Sequence, residues 1–241
     1  MRILITNDDS INARQLLPLI KWCKRFGDIT AVVPKTEQSG KSHGIEIHSP
    51  FRVEQHILEE EITVYTVDST PADCVRYAIL GMNIKFDLVI SGINRGLNIG
   101  SDMNYSGTVA AVREATINKV PAIAFSTSPE YYDNAVSHLE EIFEFITQNR
   151  LLEIHNAYNV NIPENPKGIL ITRQGGPYYS DTFDQLGNGM VKANGHSVYT
   201  PSNDLSLDTD ATMSGYISIT PLSINMTCTE VFEKLTNQTN E

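Results

Sequence analysis

The fold is decided by an apolar run that ends in two acidic residues, Ile3-Leu4-Ile5-Thr6-Asn7-Asp8-Asp9-Ser10. The run is nearly continuous in apolar and β-forming residues, which is typical of a strand in a sheet covered on both faces. Comparable runs recur along the chain and predict further buried strands. They occupy residues 29–33, 88–90, 122–126, 168–172 and 216–220.

Helical patterns lie between several of these runs. Residues 16–26 carry apolar side chains at spacings of three and four before Gly27, although Pro18 predicts a late start or a kink. Residues 108–116 and 134–147 predict two further helices. Strands that alternate with helices indicate an α/β fold with a mainly parallel sheet and helices on both faces.

The amino-acid composition of the chain changes at about residue 155. Residues 1–155 fit an α/β core that carries the active site, whereas residues 156–236 are rich in Asn, Gly, Pro, Ser and Asp. We interpret this second part as a β-rich extension packed on the core within a single domain. Residues 237–241 are polar and predict a frayed tail.

Charge and cysteine content exclude several classes of function. The chain has 241 residues and a formal net charge of −11, with no block of Lys or Arg, so binding to duplex nucleic acid is not expected. The three cysteines are far apart and predict neither a disulfide framework nor a zinc site. No apolar run is long enough for a membrane span or a secretory signal, which favours the cytoplasm and no membrane partner.

The adjacent carboxylates Asp8 and Asp9 are the first candidates for chemistry. Ligands of open α/β sheets bind at the carboxyl ends of strands, and two carboxylates brought together there repel until a hard cation relieves the repulsion. The pair converges only if the chain turns directly after the strand. The alternatives are a solvated loop, or Asp9 capping the following helix.

Three later segments add polar groups at the same predicted edge. Residues 38–44, Gln-Ser-Gly-Lys-Ser-His-Gly, form a loop suited to a phosphate or a metal, or simply a flexible loop. Residues 91–100 carry Asn94, a good neutral metal ligand, and lack the dinucleotide-binding glycine spacing. Ser106-Gly107-Thr108 predicts a helix N-terminus, which either seats a phosphate or is merely capped by its own hydroxyls.

Two further acidic segments are interpreted as structural. Residues 69–75 predict a helix start with Pro71 in its first turn. Asp208 and Asp210 predict helix capping, with a second ligand group as the alternative. His43 is the one histidine near a candidate site, as a general acid or a phosphate contact. No aromatic pair indicates a base-stacking clamp, so broad base specificity is expected.

Taken together, these motifs resemble the SurE family, the stationary-phase survival nucleotidases. The resemblance rests on Asn7-Asp8-Asp9, Ser39-Gly40, residues 70–75, residues 91–96, residues 106–109 and residues 215–222, in order along the chain. It implies a Rossmann-like core, a smaller β-rich C-terminal lobe used in oligomerisation, and a homodimer or homotetramer. It also implies 5′- and 3′-nucleotidase activity, with action on short polyphosphate, and one divalent cation per subunit, Mg²⁺ or Mn²⁺.

The resemblance also assigns roles to residues of this chain. It implies Asp8, Asp9, Ser39 and Asn94 as metal ligands, with the two aspartates also catalytic. It implies Gly40, Ser106, Gly107 and Thr108 as phosphate contacts, and the secondary candidates are Asn7, Ser42, His43 and Asn98. Ser10 departs from the glycine usual in the family, and this departure could alter the entrance to the site.

The predicted reaction is metal-assisted hydrolysis of a nucleoside monophosphate. The residues leave open whether a metal-bound water or an aspartyl group attacks phosphorus. The rivals are a phosphatase for other small esters, such as a sugar phosphate, a non-catalytic nucleotide sensor, and a dehydrogenase. Phosphate release with added Mn²⁺ separates the hydrolase from the sensor.

Overall fold

The computed structural model describes residues 1–59 and 62–238, and eleven strands lie within those ranges. Nine of them form one sheet, in the order β3-β4-β2-β1-β5-β6-β7-β11-β8, and β9 and β10 form a separate hairpin. The strands are β1 (Arg2–Thr6), β2 (Asp28–Pro34), β3 (Val53–Ile57), β4 (Thr63–Val67), β5 (Leu88–Arg95), β6 (Ala122–Thr127), β7 (Ala157–Ile162), β8 (Ile169–Ile171), β9 (Tyr179–Gly187), β10 (Met190–Ser197) and β11 (Ile217–Pro221).

The centre of the sheet is parallel. The six neighbouring strands β4, β2, β1, β5, β6 and β7 pair in parallel. The antiparallel pairs lie further out, where β3 pairs with β4 and β11 pairs with β7. The predicted mainly parallel α/β sheet is therefore confirmed.

Seven α-helices lie within the described residues: α1 (Leu16–Cys23), α2 (Pro71–Arg76), α3 (Gly107–Ile117), α4 (Leu139–Gln148), α5 (Leu151–Ile154), α6 (Asp208–Met213) and α7 (Thr229–Gln238). The helices α1 and α4 cover one face of the sheet, and α2 and α3 cover the other. In β1, Ile3 and Ile5 pack into the first layer and Leu4 into the second. This two-sided burial is the reason that the strand is apolar at every position.

The predicted helices differ from the observed ones at their ends. Helix α1 ends at Cys23 rather than Phe26, and Pro18 lies in its first turn, where its missing N–H group costs nothing. The segment predicted as a helix over 134–147 divides into a 3₁₀ segment, Pro129–His138, and α4. Ser137 Oγ donates to the carbonyl of Asn134 at 2.6 Å, a local bond that competes with α-helical pairing.

The expected boundary at residue 155 does not divide the sheet. Strands β7, β8 and β11 extend the same sheet beyond that residue. Strand β7 was not predicted from the sequence, because two buried asparagines, Asn159 and Asn161, interrupt its apolar pattern. Both side chains bond to Asn98 of a strand-end loop, so they hold that loop instead of marking an exposed segment. Strands β3 and β4 were also missed.

The C-terminal part is more helical than expected. Helix α7 covers Thr229–Gln238 and includes the first two residues of the predicted frayed tail, whereas residues 239–241 lie outside the described residues. The hairpin of β9 and β10 adds a separate two-stranded sheet to the extension. No helix in the described ranges is both long enough and apolar enough to cross a membrane.

Candidate active site

The candidate site lies at the carboxyl ends of three neighbouring strands, β2, β1 and β5. Because parallel strands end at the same edge, the loops that follow them meet there. They line one cavity of about 450 Å³. Its lining residues are Asp8, Ser39, Gly40, Asn94, Arg95, Asn98, Asp102, Tyr105, Ser106, Tyr179 and Asp181.

The chain turns directly after β1, as the convergence of the two aspartates requires. Asn7 Nδ2 donates to the carbonyl of Ser10 at 2.9 Å and closes this turn. Ser10 has a φ of 75°, in the left-handed region that favours glycine. Ser10 therefore keeps the turn in a backbone conformation that is strained for a residue with a side chain.

Asp8 is buried and bound to the start of α3. Thr108 Oγ1 donates to Asp8 Oδ1 at 2.5 Å. Burial raises the pKa of Asp8, and the Thr108 bond opposes this effect. Gly107 fits closely against the same carboxylate, since a Cβ atom built on it would lie 3.0 Å from Asp8 Cβ. A larger residue where α3 meets β1 would require a neighbour to shift by a few tenths of an ångström.

Asp9 is less buried and accepts a hydrogen bond from the backbone N–H of Arg95 at 3.2 Å. Burial first, and then repulsion from Asp8, raise the pKa of Asp9 to about 6. Both aspartates are thus held in a place that disfavours their charge in the absence of a cation. Such a pair is suited to bind a positive ion.

Asn94 and Ser39 add neutral oxygens to the site. Asn94 Nδ2 donates to the carbonyl of Gly96 at 2.8 Å, which fixes the amide and leaves its oxygen available. Ser39 Oγ donates to Glu37 Oε1 at 2.7 Å. Asp8, Ser39 and Asn94 line the cavity, whereas Asp9 is not among its lining residues. The carboxylate, amide and hydroxyl groups at the site are all oxygen ligands, the kind that suits Mg²⁺ or Mn²⁺. Within the described ranges, no cluster of three or more His, Cys, Asp or Glu side chains is placed to hold a metal.

The Ser106–Thr108 segment is a helix start, as predicted. Ser106 is the N-cap of α3, and its Oγ accepts from the N–H of Val109 at 3.1 Å. The side chain of Ser106 therefore caps the helix, which was the simpler of the two interpretations. The first turn still places the positive end of the helix dipole next to the cavity. Gly40, with a φ of 69°, lines the same cavity from the β2 loop.

The secondary candidates divide into two groups. Asn98 lines the cavity, and its amide donates to Ser126 Oγ at 2.8 Å. Asn7, Ser42 and His43 are not among the residues that line it. Their side chains bond to Ser10, Asn104 and Glu114 respectively.

The acidic pair at α6 has a structural role that differs from the predicted one. Neither side chain caps the helix, because the N-cap is Leu207. Asp208 accepts from the backbone N–H groups of Gly100 and Gly175, and Asp210 accepts from the segment 199–204. Their carboxylates thus hold neighbouring loops, and neither lies in the cavity.

Several cavity residues were missed by sequence analysis. Tyr105 and Tyr179 line the same cavity although they come from different parts of the chain, so no local pattern marked them as a pair, and broad base specificity stays a prediction. Asp102 and Asp181 lie there too. Glu37 repels both aspartates and raises their pKa values. Of these residues, only Glu37 could have been suspected from the sequence, because it is an acidic residue two positions before Ser39.

The fold and the cavity define a Rossmann-like α/β protein whose ligand cavity lies at the carboxyl ends of its central parallel strands. Within this class, the chain belongs to the SurE family, because the family described as Survival protein SurE matches residues 3–181. The resemblance seen in the motifs is thereby confirmed.

Full-length relatives agree with this assignment. A protein of Thermosipho melanesiensis named 5'-nucleotidase SurE is 36% identical over 98% of this chain and 96% of its own length. A protein of the same name from Thermoanaerobacter pseudethanolicus is 37% identical over 94% of each chain. The crystal structure of the SurE protein from Aquifex aeolicus is similar, with 30% identity, a TM-score of 0.79 and coverage of 99% of both chains.

Proposed function

We propose that this protein is a 5′-nucleotidase, which hydrolyses a nucleoside monophosphate to a nucleoside and phosphate with the help of a divalent cation. The observation that carries the proposal is one cavity in which Asp8, Ser39, Asn94 and the start of α3 meet. The names of the curated relatives support the same activity.

Asp8, Asp9, Ser39 and Asn94 would hold one Mg²⁺ or Mn²⁺ ion per subunit. The raised pKa values of both aspartates support this assignment, because a cation would relieve the cost of their charge. When bound, the cation supplies Lewis-acid polarisation of the phosphoryl group and lowers the pKa of a bound water. Thr108 orients Asp8 through its hydrogen bond, and the backbone of Arg95 orients Asp9.

The phosphoryl group would lie between the β2 loop and the start of α3. The start of that helix carries the positive end of its dipole, where charge that develops on phosphoryl oxygens would be stabilised. Gly40 contributes from the opposite loop. One aspartate would also orient the attacking water.

The outer part of the cavity would hold the nucleoside. Tyr105 and Tyr179 are 66% and 50% exposed, so their rings are open to a flat ligand. Asp102 and Asp181 lie beside them and can accept hydrogen bonds from ribose hydroxyls or a base amino group. These groups favour a nucleotide over a smaller phosphate ester. Activity toward 3′-nucleotides and short polyphosphate is supported by the family resemblance.

The oligomer would be a homodimer or homotetramer built from the C-terminal region. Helix α7 exposes Val231, Phe232 and Leu235 along one stripe, and the β9–β10 hairpin exposes Phe183 and Met190. Apolar patches of this kind mark protein interfaces. Light scattering of the purified protein measures the subunit number, and a monomer at all concentrations would contradict this part of the proposal.

The test of the activity is phosphate release from AMP. We expect release with Mn²⁺ or Mg²⁺, none in excess chelator, and none from Asp8→Asn that is folded by circular dichroism. Binding of AMP without release would favour a nucleotide sensor, and full turnover in chelator would exclude the metal-dependent route. A cytoplasmic location remains a prediction that three free cysteines support.

A further inference from the structure

The loop that carries Ser39 and Gly40 has no helix or strand of its own. It is tied instead to its surroundings by hydrogen bonds. At its start, the N–H of Gln38 donates to the carbonyl of Asp8 at 2.8 Å. In its middle, Ser42 donates through its N–H to Tyr105 at 3.0 Å and through Oγ to Asn104 at 2.6 Å. These bonds place the loop beside the residues that precede α3.

The side chain of His43 contacts a buried residue of α3. Its Nε2 lies 2.9 Å from Oε2 of Glu114, a residue of α3. Ser106 starts the same helix, and Glu114 lies about two turns further along it. The loop is therefore attached to the residues just before α3 through Ser42, and to the middle of α3 through His43.

Glu114 is a buried anion, with 5% of its side chain exposed. Arg76 of α2 lies 3.4 Å from Oε1, and Asn118 Nδ2 donates to the same oxygen at 2.9 Å. Burial alone would raise the pKa of Glu114, but bonds from His43 and Asn118 outweigh it and hold the pKa below its ordinary value. Because the carboxylate is ionised, it accepts and His43 Nε2 donates.

The far end of the loop is attached to α2. Thr70 Oγ1 donates to the carbonyl of Gly44 at 2.7 Å, and the N–H of Glu46 donates to Asp73 Oδ2 at 2.7 Å. Helix α2 packs against α3. The loop is thus bonded to both helices of a packed pair. The side chain of His43 makes its bond to Glu114.

The geometry points to His43 as a positioning residue, which holds Ser39 and Gly40 at a fixed place relative to the start of α3 through its bond to Glu114. His43 does not line the cavity, so it would act on substrate or metal only through this loop. The inference rests on the proposed function, since it explains how Ser39, a proposed metal ligand, is kept in place.

The test compares Mn²⁺ affinity, measured by calorimetry, in three variants. His43→Leu removes the bond to Glu114, whereas His43→Gln can still donate one. The matched control is His138→Leu, because His138 also pairs with a glutamate, Glu141, at 2.5 Å and its side chain has the same 20% exposure. Residues that orient metal ligands typically contribute about 10-fold or more to affinity.

We expect His43→Leu to weaken Mn²⁺ binding about 10-fold and to lower kcat/KM for AMP, with His43→Gln recovering most of both. His138→Leu should bind Mn²⁺ like the wild type. Unchanged Mn²⁺ affinity in folded His43→Leu would overturn the inference and leave the proposed function standing. An equal loss in His138→Leu would show a general effect of destabilisation and would also overturn it. A wild-type protein that bound no Mn²⁺ would instead contradict the proposed function.

Discussion

The hydroxyl of Thr108 donates a 2.5 Å hydrogen bond to the carboxylate of Asp8, and this bond joins the first turn of α3 to the end of β1. Both residues are buried, so the bond is shielded from water. It orients the carboxylate of the proposed metal ligand. The helix that would stabilise the phosphate and the strand that would hold the cation are thereby fixed to one another.

Thr108→Val should lower kcat for AMP by about 10- to 100-fold, because Asp8 loses the group that orients it. The cost in stability should be about 1–2 kcal/mol, since the variant keeps the shape of the side chain and loses one hydrogen bond. Steady-state kinetics and denaturant unfolding measure the two effects. Thr116→Val is the control, because the hydroxyl of Thr116 donates to the carbonyl of Val112 in the same helix. Equal loss of activity in both variants would contradict the role of Thr108.

The metal-free protein should lose stability as the pH rises from about 4 to about 6. The pKa of Asp9 is near 6 in the folded state, against about 3.9 in an unfolded chain. The folded protein therefore binds more protons in this range, so raising the pH favours unfolding. Asp9→Asn removes this cost and should raise the metal-free melting temperature at pH 7 but not at pH 4.

The measurement for Asp9 is thermal unfolding in chelator over pH 4–8, followed by the same series with Mn²⁺. Added Mn²⁺ should stabilise the wild type and not the variant, because only the wild type keeps both carboxylates. If the difference in stability between the metal-free wild type and Asp9→Asn were the same at pH 7 as at pH 4, the raised pKa of Asp9 would be refuted.

Gly107→Ala should lower activity although alanine is the better helix former. The added Cβ would lie 3.0 Å from Asp8 Cβ and 3.1 Å from Pro71 Cγ, so α3 must shift away from β1. We expect at least about a 10-fold loss of kcat/KM, since small displacements of positioned groups are costly. Gly176→Ala is the control, because a Cβ there meets nothing within 4 Å. Full activity of Gly107→Ala would show that the close contact is not required.

Tyr105→Ala and Tyr179→Ala should each raise KM for AMP. Stacking of a base on an aromatic ring is worth about 1–3 kcal/mol, which corresponds to a change of roughly 5- to 150-fold. Inorganic phosphate is the control, because it is a competitive inhibitor without any group that could stack on a tyrosine ring. Its inhibition constant should not change. An unchanged KM for AMP in both variants would place the nucleoside elsewhere.

Local sequence patterns predicted the strands and the helix start that surround the site. Continuous apolar runs located β1, β2, β5 and β6, because strands covered on both faces must be apolar at each position. The motif Ser106-Gly107-Thr108 predicted the start of α3 to within one residue. Polar residues after successive parallel strands indicated a common edge, and the structure brings Asp8, Ser39 and Asn94 to one cavity there.

The sequence by itself thus determined the α/β class, the strand ends that carry the candidate ligands, and the family. Only the tertiary structure decided that Asn159 and Asn161 are buried to hold Asn98, that His43 binds Glu114, and that Tyr105 and Tyr179 share a cavity. The physical reason is the range of the interaction. Apolar periodicity and helix starts are properties of neighbouring residues, whereas a buried polar bond depends on a partner that the fold brings from a distant part of the chain.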